Sequence, residues 1–181
     1  GQYIDSTVFV GAGSPMSGVF KSTAAGYSVV FSSGSTHFSE LLESNLRSVI
    51  TKLQPSKRGN AKFYMANSIL WPYVYGLKDG NSRPLFVQNI SDAGPGTVWG
   101  YPVREGNDSV MPSTSAAATG LIFFGDLRKM VILGRRLGSI RVAVDPYYLM
   151  PNYQTRVGFF SRWAFAQALS GAGARIATAA S

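Results

Sequence analysis

The sequence is poor in the residue types that most chemistry requires. It has no cysteine and one histidine, His37. The first absence excludes disulfide staples, thiolate zinc sites and cysteine nucleophiles. The second excludes paired-histidine metal motifs and argues against triad chemistry. Acids are scarce as well, 9 in 181 residues. No apolar run approaches the ~20 residues of a membrane helix. The longest, around Leu121–Phe124, covers only a few positions. Gln2 to Asp5 is not a basic opening, so a signal peptide is not expected.

What is present is a chain that can bury a core. Apolar residues make up 45% and aromatics 13% of the 181 residues, which fits one domain, or one domain with a fragment of another. The charge is uneven. The chain carries 17 Lys and Arg against 9 Asp and Glu, a net +8. Residues 1–126 hold 9 basic and 8 acidic residues, net +1. Residues 127–181 hold 8 basic residues, Arg128, Lys129, Arg135, Arg136, Arg141, Arg156, Arg162 and Arg175, against Asp145, net +7. Such asymmetry points to a polyanionic neighbour, to acidic patches on partner subunits, or to a solvated basic face.

Hydrophobic periodicity predicts an α+β chain without internal repeats. Strands are expected at Thr7–Val10, Tyr27–Phe31, Lys62–Met65, Pro84–Val87 and Thr119–Phe124, with an extended segment at Thr97–Val103. A helix is expected from about Thr36 to Leu53, with Phe38, Leu41, Leu42, Leu46, Val49, Ile50 and Leu53 on one face. Pro55 stops it. A shorter helix runs from Asn67 or Ser68 to about Leu77, with Pro72 placed in its first turns. Lys78–Arg83 is turn chemistry, and Gly11–Gly18, Ser91–Gly96 and Gly106–Ala118 are loops. In the basic third, Met130–Leu133 and Ser139–Val144 flank a Gly134–Gly138 turn. Asp145–Asn152 is a Pro-bounded link, Thr155–Ala166 is one long strand, and Ala174–Ala179 is a last strand.

None of the candidate catalytic features is complete. Gly11-Ala12-Gly13 begins a dinucleotide fingerprint, but Met16 holds the place of the third glycine and Pro15 interrupts the helix start. His37 reads as a surface histidine at a helix start; with no second His or Cys, a metal site beside it would have to rest on Glu40 and Glu43 alone, which no motif supports. Asp126, Glu105 and Asp108 are loop acids outside any hydrolase pattern. Asp126 reads as a turn residue that caps backbone donors. Tyr153, Phe159, Phe160, Trp163 and Phe165 interleave with the basic residues and offer a stacking platform. Their setting among Val157 and Ala164 favours a strand packed on a core.

Five blocks carry a resemblance in order and spacing. They are Tyr3-Ile-Asp-Ser-Thr-Val-Phe-Val-Gly-Ala-Gly-Ser-Pro-Met-Ser-Gly18, Lys62-Phe-Tyr-Met-Ala-Asn67 with Leu77-Lys-Asp-Gly-Asn-Ser-Arg83, and Trp99-Gly-Tyr-Pro-Val103 with Met111-Pro112. The last two are Ile122-Phe-Phe-Gly-Asp126 and Thr155-Arg-Val-Gly-Phe-Phe-Ser-Arg162. Over nearly the whole chain they resemble the major capsid protein of tailed bacteriophages. The resemblance implies a phage major-capsid-protein-like fold, a mixed β-sheet flanked by two main helices. It implies an axial-domain-like region at 1–125, peripheral-domain-like strands at 126–165 and a C-terminal segment at 166–181. The family's N-terminal arm, hairpin loop and spine helix have no counterpart, so the chain matches the C-terminal part of such a subunit. Without that helix, strands around Arg141 and Arg162 are expected to expose apolar surface.

The function so implied is that of a non-enzymatic structural subunit of an icosahedral phage or prophage capsid. Its partners would be copies of itself in pentamers and hexamers, with non-specific contact to packaged double-stranded DNA. Arg128, Lys129, Arg135, Arg136, Arg141, Arg156 and Arg162 are the candidate subunit or DNA contacts. No cofactor, membrane or small-molecule substrate is expected, and the location would be the virion after production in the host cytoplasm. The alternatives are a bacterial nanocompartment shell protein and a basic nucleic-acid-binding module.

Overall fold

The computed structural model describes residues 8–11, 18–20, 27–86, 96–138 and 140–180. Its centre is a six-stranded mixed sheet. The strands are β1 (Ser28–Val30), β2 (Lys62–Ala66), β3 (Thr97–Val98), β4 (Tyr101–Gly106), β5 (Gly120–Gly125) and β10 (Gly173–Ala177). They lie in the order β1-β10-β5-β2-β4-β3. The β1–β10 and β2–β4 pairs are parallel, and the others are antiparallel. The chain end therefore returns to the sheet, between its first strand and β5.

The apolar run predicted to be a buried strand is the most buried element. Every residue of β5 is buried, with Leu121, Ile122, Phe123 and Phe124 each fully so. Removing four such side chains from water stabilises the fold by roughly 1.5–3 kcal/mol each. Phe63 on β2 meets Phe124 at 4.6 Å between ring centres, and Tyr101 on β4 meets the same ring at 5.0 Å. Rings thus tie three strands across one face of the sheet.

The long predicted helix is divided. Phe38–Glu40 forms a 3-10 turn, Leu41 and Leu42 are extended, and α1 runs Glu43–Lys52. The break has local causes. Glu40 reaches back to accept from the His37 N–H at 2.8 Å, which closes the first turn on itself. The Phe38 N–H donates instead to Ser115 Oγ at 3.1 Å. Both Phe38 and Leu41 stay buried, whereas Leu42 turns outward. α1 packs on β1 and β10 through Leu46 and Val49.

The second helix, α2 (Asn67–Ile69), widens at once into a π-helical turn over Leu70–Val74. Pro72 has no N–H to give to an ordinary helical bond. The Tyr75 N–H instead donates to the Leu70 carbonyl, five residues back, at 3.0 Å. The widened turn brings the Pro72 carbonyl against the backbone of Gly76.

Other expectations need correction. Residues 8–10 are helical rather than a strand. The carbonyls of Val8 and Phe9 accept from Val19 and Phe20 at 2.9 and 3.0 Å. The Thr97–Val103 segment is not continuous but folds back as the β3–β4 hairpin. Trp99 and Gly100 sit at φ 49° and 81°, the pair of positive values that a two-residue hairpin loop requires. Pro84 forms only a bridge to Lys78, and Val87, the Ser91–Pro95 part of the loop and Ala12–Ser17 lie outside the described residues. The Asp79 turn forms as expected, with Oδ1 accepting from the Asn81 and Arg83 N–H groups, each at 2.9 Å.

Candidate functional site

The basic third leaves the sheet through Asp126. This residue is buried and caps α3 (Leu127–Met130), with Oδ1 accepting from the Arg128 N–H at 3.1 Å. Its reading as a backbone cap holds. Beyond α3 the chain builds two antiparallel ribbons. β6 (Val131–Arg135) pairs with β9 (Trp163–Gln167), and β7 (Arg141–Leu149) pairs with β8 (Gln154–Phe160).

These pairings revise two sequence readings. β7 runs on through Asp145–Leu149, so the expected Pro-bounded link Asp145–Asn152 is strand over most of its length, and β6 takes in Gly134 and Arg135 of the expected turn. The predicted long strand Thr155–Ala166 is two strands, broken at Ser161 and Arg162. The break lets the chain change from one ribbon to the other. The Arg136 N–H donates to the Arg162 carbonyl at 3.2 Å and ties the two crossings together.

The aromatic residues expected in a core are not in one. Phe159 is 74% exposed and Phe160 61%. Tyr153 and Trp163 are exposed as well, and Phe165 is partly covered. Period-two alternation in β8 does segregate side chains. With the register Val142↔Phe159 and Val144↔Val157, four apolar side chains share one face of the ribbon. No described element lies over that face. The conditional expectation that strands near Arg141 and Arg162 expose apolar surface is therefore observed.

The seven candidate basic residues separate into groups. Arg136, Arg141 and Arg162 line one groove of about 690 Å³ with Leu137, Gly138, Phe159, Phe160 and Ser161. Arg135 lies on an adjoining shallow groove with Trp163, its guanidinium 5.7 Å from the indole centre. Arg156 is further along the ribbon, 4.8 Å from the Tyr148 ring centre and paired in register with Asp145. Arg128 and Lys129 are exposed on α3, and neither lines the grooves. The eighth cation, Arg175, belongs to the sheet: Nε donates to Ser28 Oγ at 3.2 Å, and Nη1 donates to the Phe20 carbonyl. Burial lowers its pKa from the ordinary value.

The charge count did not single out Leu137 as a wall of the groove. Its neighbour Gly138, at φ 68°, is the one local signal, since a Gly in a left-handed turn marks where the chain doubles back. Among the described residues no three His, Asp or Glu side chains gather as metal ligands. Among the described residues no helix is long and apolar enough to cross a membrane.

The described structure thus combines a packed sheet core with basic and apolar ribbons displayed beside it. The chain belongs to the phage capsid family, whose family model matches residues 2–170. No curated protein sequence matches it. Solved capsids share the fold. The capsid of an empty GTA particle, computed with C5 symmetry, is 20% identical with a TM-score of 0.75, covering 98% of this chain and 62% of that one. The structure of Gordonia phage Cozz is 13% identical with a TM-score of 0.64, covering 99% and 60%. The SrpI encapsulin of Synechococcus elongatus is 14% identical with a TM-score of 0.60, covering 97% and 60%. The chain thus spans about three fifths of the length of these structures.

Proposed function

We propose that the chain is the C-terminal part of a structural subunit of an icosahedral phage or prophage capsid. The subunit assembles into pentamers and hexamers around double-stranded DNA, in the virion, after synthesis in the host cytoplasm. Residues 1–125 are assigned to an axial-like region, 126–165 to peripheral-like strands, and 166–181 to a C-terminal segment. The seven basic residues Arg128, Lys129, Arg135, Arg136, Arg141, Arg156 and Arg162 contact neighbouring subunits or the packaged DNA.

One observation supports this reading above others. The central sheet has a closed core, whereas β7 and β8 expose Val142, Val144, Val157 and Phe159 on one face. An apolar face of that kind serves association or is covered by chain from elsewhere. The spine helix that the family resemblance implies is the element proposed to supply such cover.

The likeness to an encapsulin supports a second reading, a nanocompartment shell. The test separates the readings by mass and content. The product of the whole gene is compared with the 181-residue chain by light scattering and negative-stain microscopy. Closed shells from the whole product, with monomers or small oligomers from the shorter chain, are expected. Shells that hold protein cargo and no DNA would favour the nanocompartment. Monomers from both would overturn shell formation and direct attention to salt-dependent nucleic-acid binding.

A further inference from the structure

The groove lined by Arg136, Arg141 and Arg162 is a concentrated positive site. None of the three side chains has an ion pair or hydrogen bond among the described residues. Leu137, Phe159 and Phe160, all exposed, line the same groove and would lose water only when a partner seats on it. Guanidinium forks match a planar carboxylate or a phosphate.

The layout favours a discrete anion over a nucleic-acid backbone. Duplex DNA carries a charge every ~1.7 Å and is best met by a stripe of cations. The β7–β8 ribbon has no such stripe. Its other cation, Arg156, lies across from Asp145 and against Tyr148. The free charge is gathered at one end, in a concavity.

The chain's described carboxylates are almost all engaged. Asp126 caps α3, Asp145 accepts from the Tyr147 and Tyr148 N–H groups, and Asp79 holds its turn. Glu40 closes on His37, Glu43 pairs with Arg47, and Asp108 accepts from the Ser68 N–H. Glu105 has no such bond among the described residues and is exposed near the end of β4. Burial raises the pKa of the Tyr75 phenol, and the Glu105 charge lies close enough to raise it further. From this charge complementarity we infer that the arginine groove of one copy receives Glu105 of a second copy. The contact joins the ribbon of one copy to the sheet of the next. A head-to-tail contact of this kind closes into a ring when its rotation permits. The inference rests on the self-assembling reading above.

Because the chain has no cysteine, single introduced thiols report the contact cleanly. Leu137→Cys, on the groove wall, is mixed with Asn107→Cys, two residues from Glu105, so both charges stay in place. The control replaces Asn107→Cys by Ser44→Cys, and sedimentation velocity follows association in the same mixtures. The expected result is a 107–137 disulfide yield on the order of tenfold above the control, lost when Glu105→Gln is added and unchanged association elsewhere is confirmed by mass. Association with a yield equal to the control overturns the Glu105 contact and leaves the assembly reading standing. No association by any mixture overturns the Glu105 contact, and the assembly reading falls with it only if the whole gene product also forms no shells. A chain carrying Arg136→Ala, Arg141→Ala and Arg162→Ala that associates normally but loses DNA binding would assign the groove to phosphate instead.

Discussion

The Arg175 guanidinium donates to the backbone carbonyl of Phe20, 155 residues away in sequence. The same side chain donates to Ser28 Oγ, and the Arg175 N–H bonds the Tyr27 carbonyl at 3.0 Å. One residue of the last strand thus fastens two early segments to the sheet. Arg175→Ala leaves the Phe20 carbonyl unpaired where it is shielded from water, at a cost of roughly 1–3 kcal/mol. Arg175→Lys restores less than the full amount, because an ammonium lacks the fork that reaches both acceptors. Urea midpoints at constant m-value measure this. An unchanged midpoint for the alanine variant would remove Arg175 from the account of the core.

Two leucines four residues apart, Leu42 and Leu46, are expected to behave oppositely. Leu46, on the inner face of α1, is fully buried, whereas Leu42 is 58% exposed. Leu46→Asp places an unpaired charge in the core and unfolds the domain, since such burial costs several kcal/mol. Leu42→Asp stays within about 0.5 kcal/mol of the parent. Thermal melts of the two variants decide the matter, and equal losses would contradict the outward turn at Leu42.

Stability should fall in alkali through Tyr64. Burial first, and the negative charge of Asp126 second, raise its phenol above the ordinary value of 10.0. Below that value the phenol is protonated in both states and contributes no pH dependence. As pH rises past about 10, the unfolded chain ionises first, and the folded state loses stability until its own raised pKa is passed. Tyr64→Phe should make the decline shallower, read as urea midpoints across alkaline pH. Identical slopes would contradict the assignment.

Gly76 has little room for any other residue. A Cβ there would lie 2.1 Å from the Pro72 carbonyl oxygen, a consequence of the π-helical turn. Gly76→Ala should cost roughly 1–3 kcal/mol, measured by chemical denaturation. A neutral result would indicate that the turn relaxes to ordinary helix.

Much of the sheet was legible in the sequence. An unbroken apolar run between Gly120 and Gly125 reads as a strand covered on both faces, and that is what β5 is. The Asp79 turn and the Asp126 cap were legible for a similar reason, since each side chain bonds its own neighbours. Partners were not legible. Alternation placed Phe159 and Val157 on one face but carried no information on whether anything covers it. Nor did charge counting separate Arg175, spent on two backbone segments, from Arg141, which lines a groove. The division of Thr36–Leu53 depended on Ser115, a hydrogen-bond partner 77 residues from Phe38. A helical period cannot record such a contact.

The most direct test of the capsid-subunit account is a cryo-electron microscopy map of particles formed by the whole gene product. The account predicts closed shells in which protein from the same or a neighbouring subunit covers Val142, Val144, Val157 and Phe159 of the β7–β8 ribbon. Shells in which that face stays bare to solvent, or a whole product that remains a monomer, would contradict it.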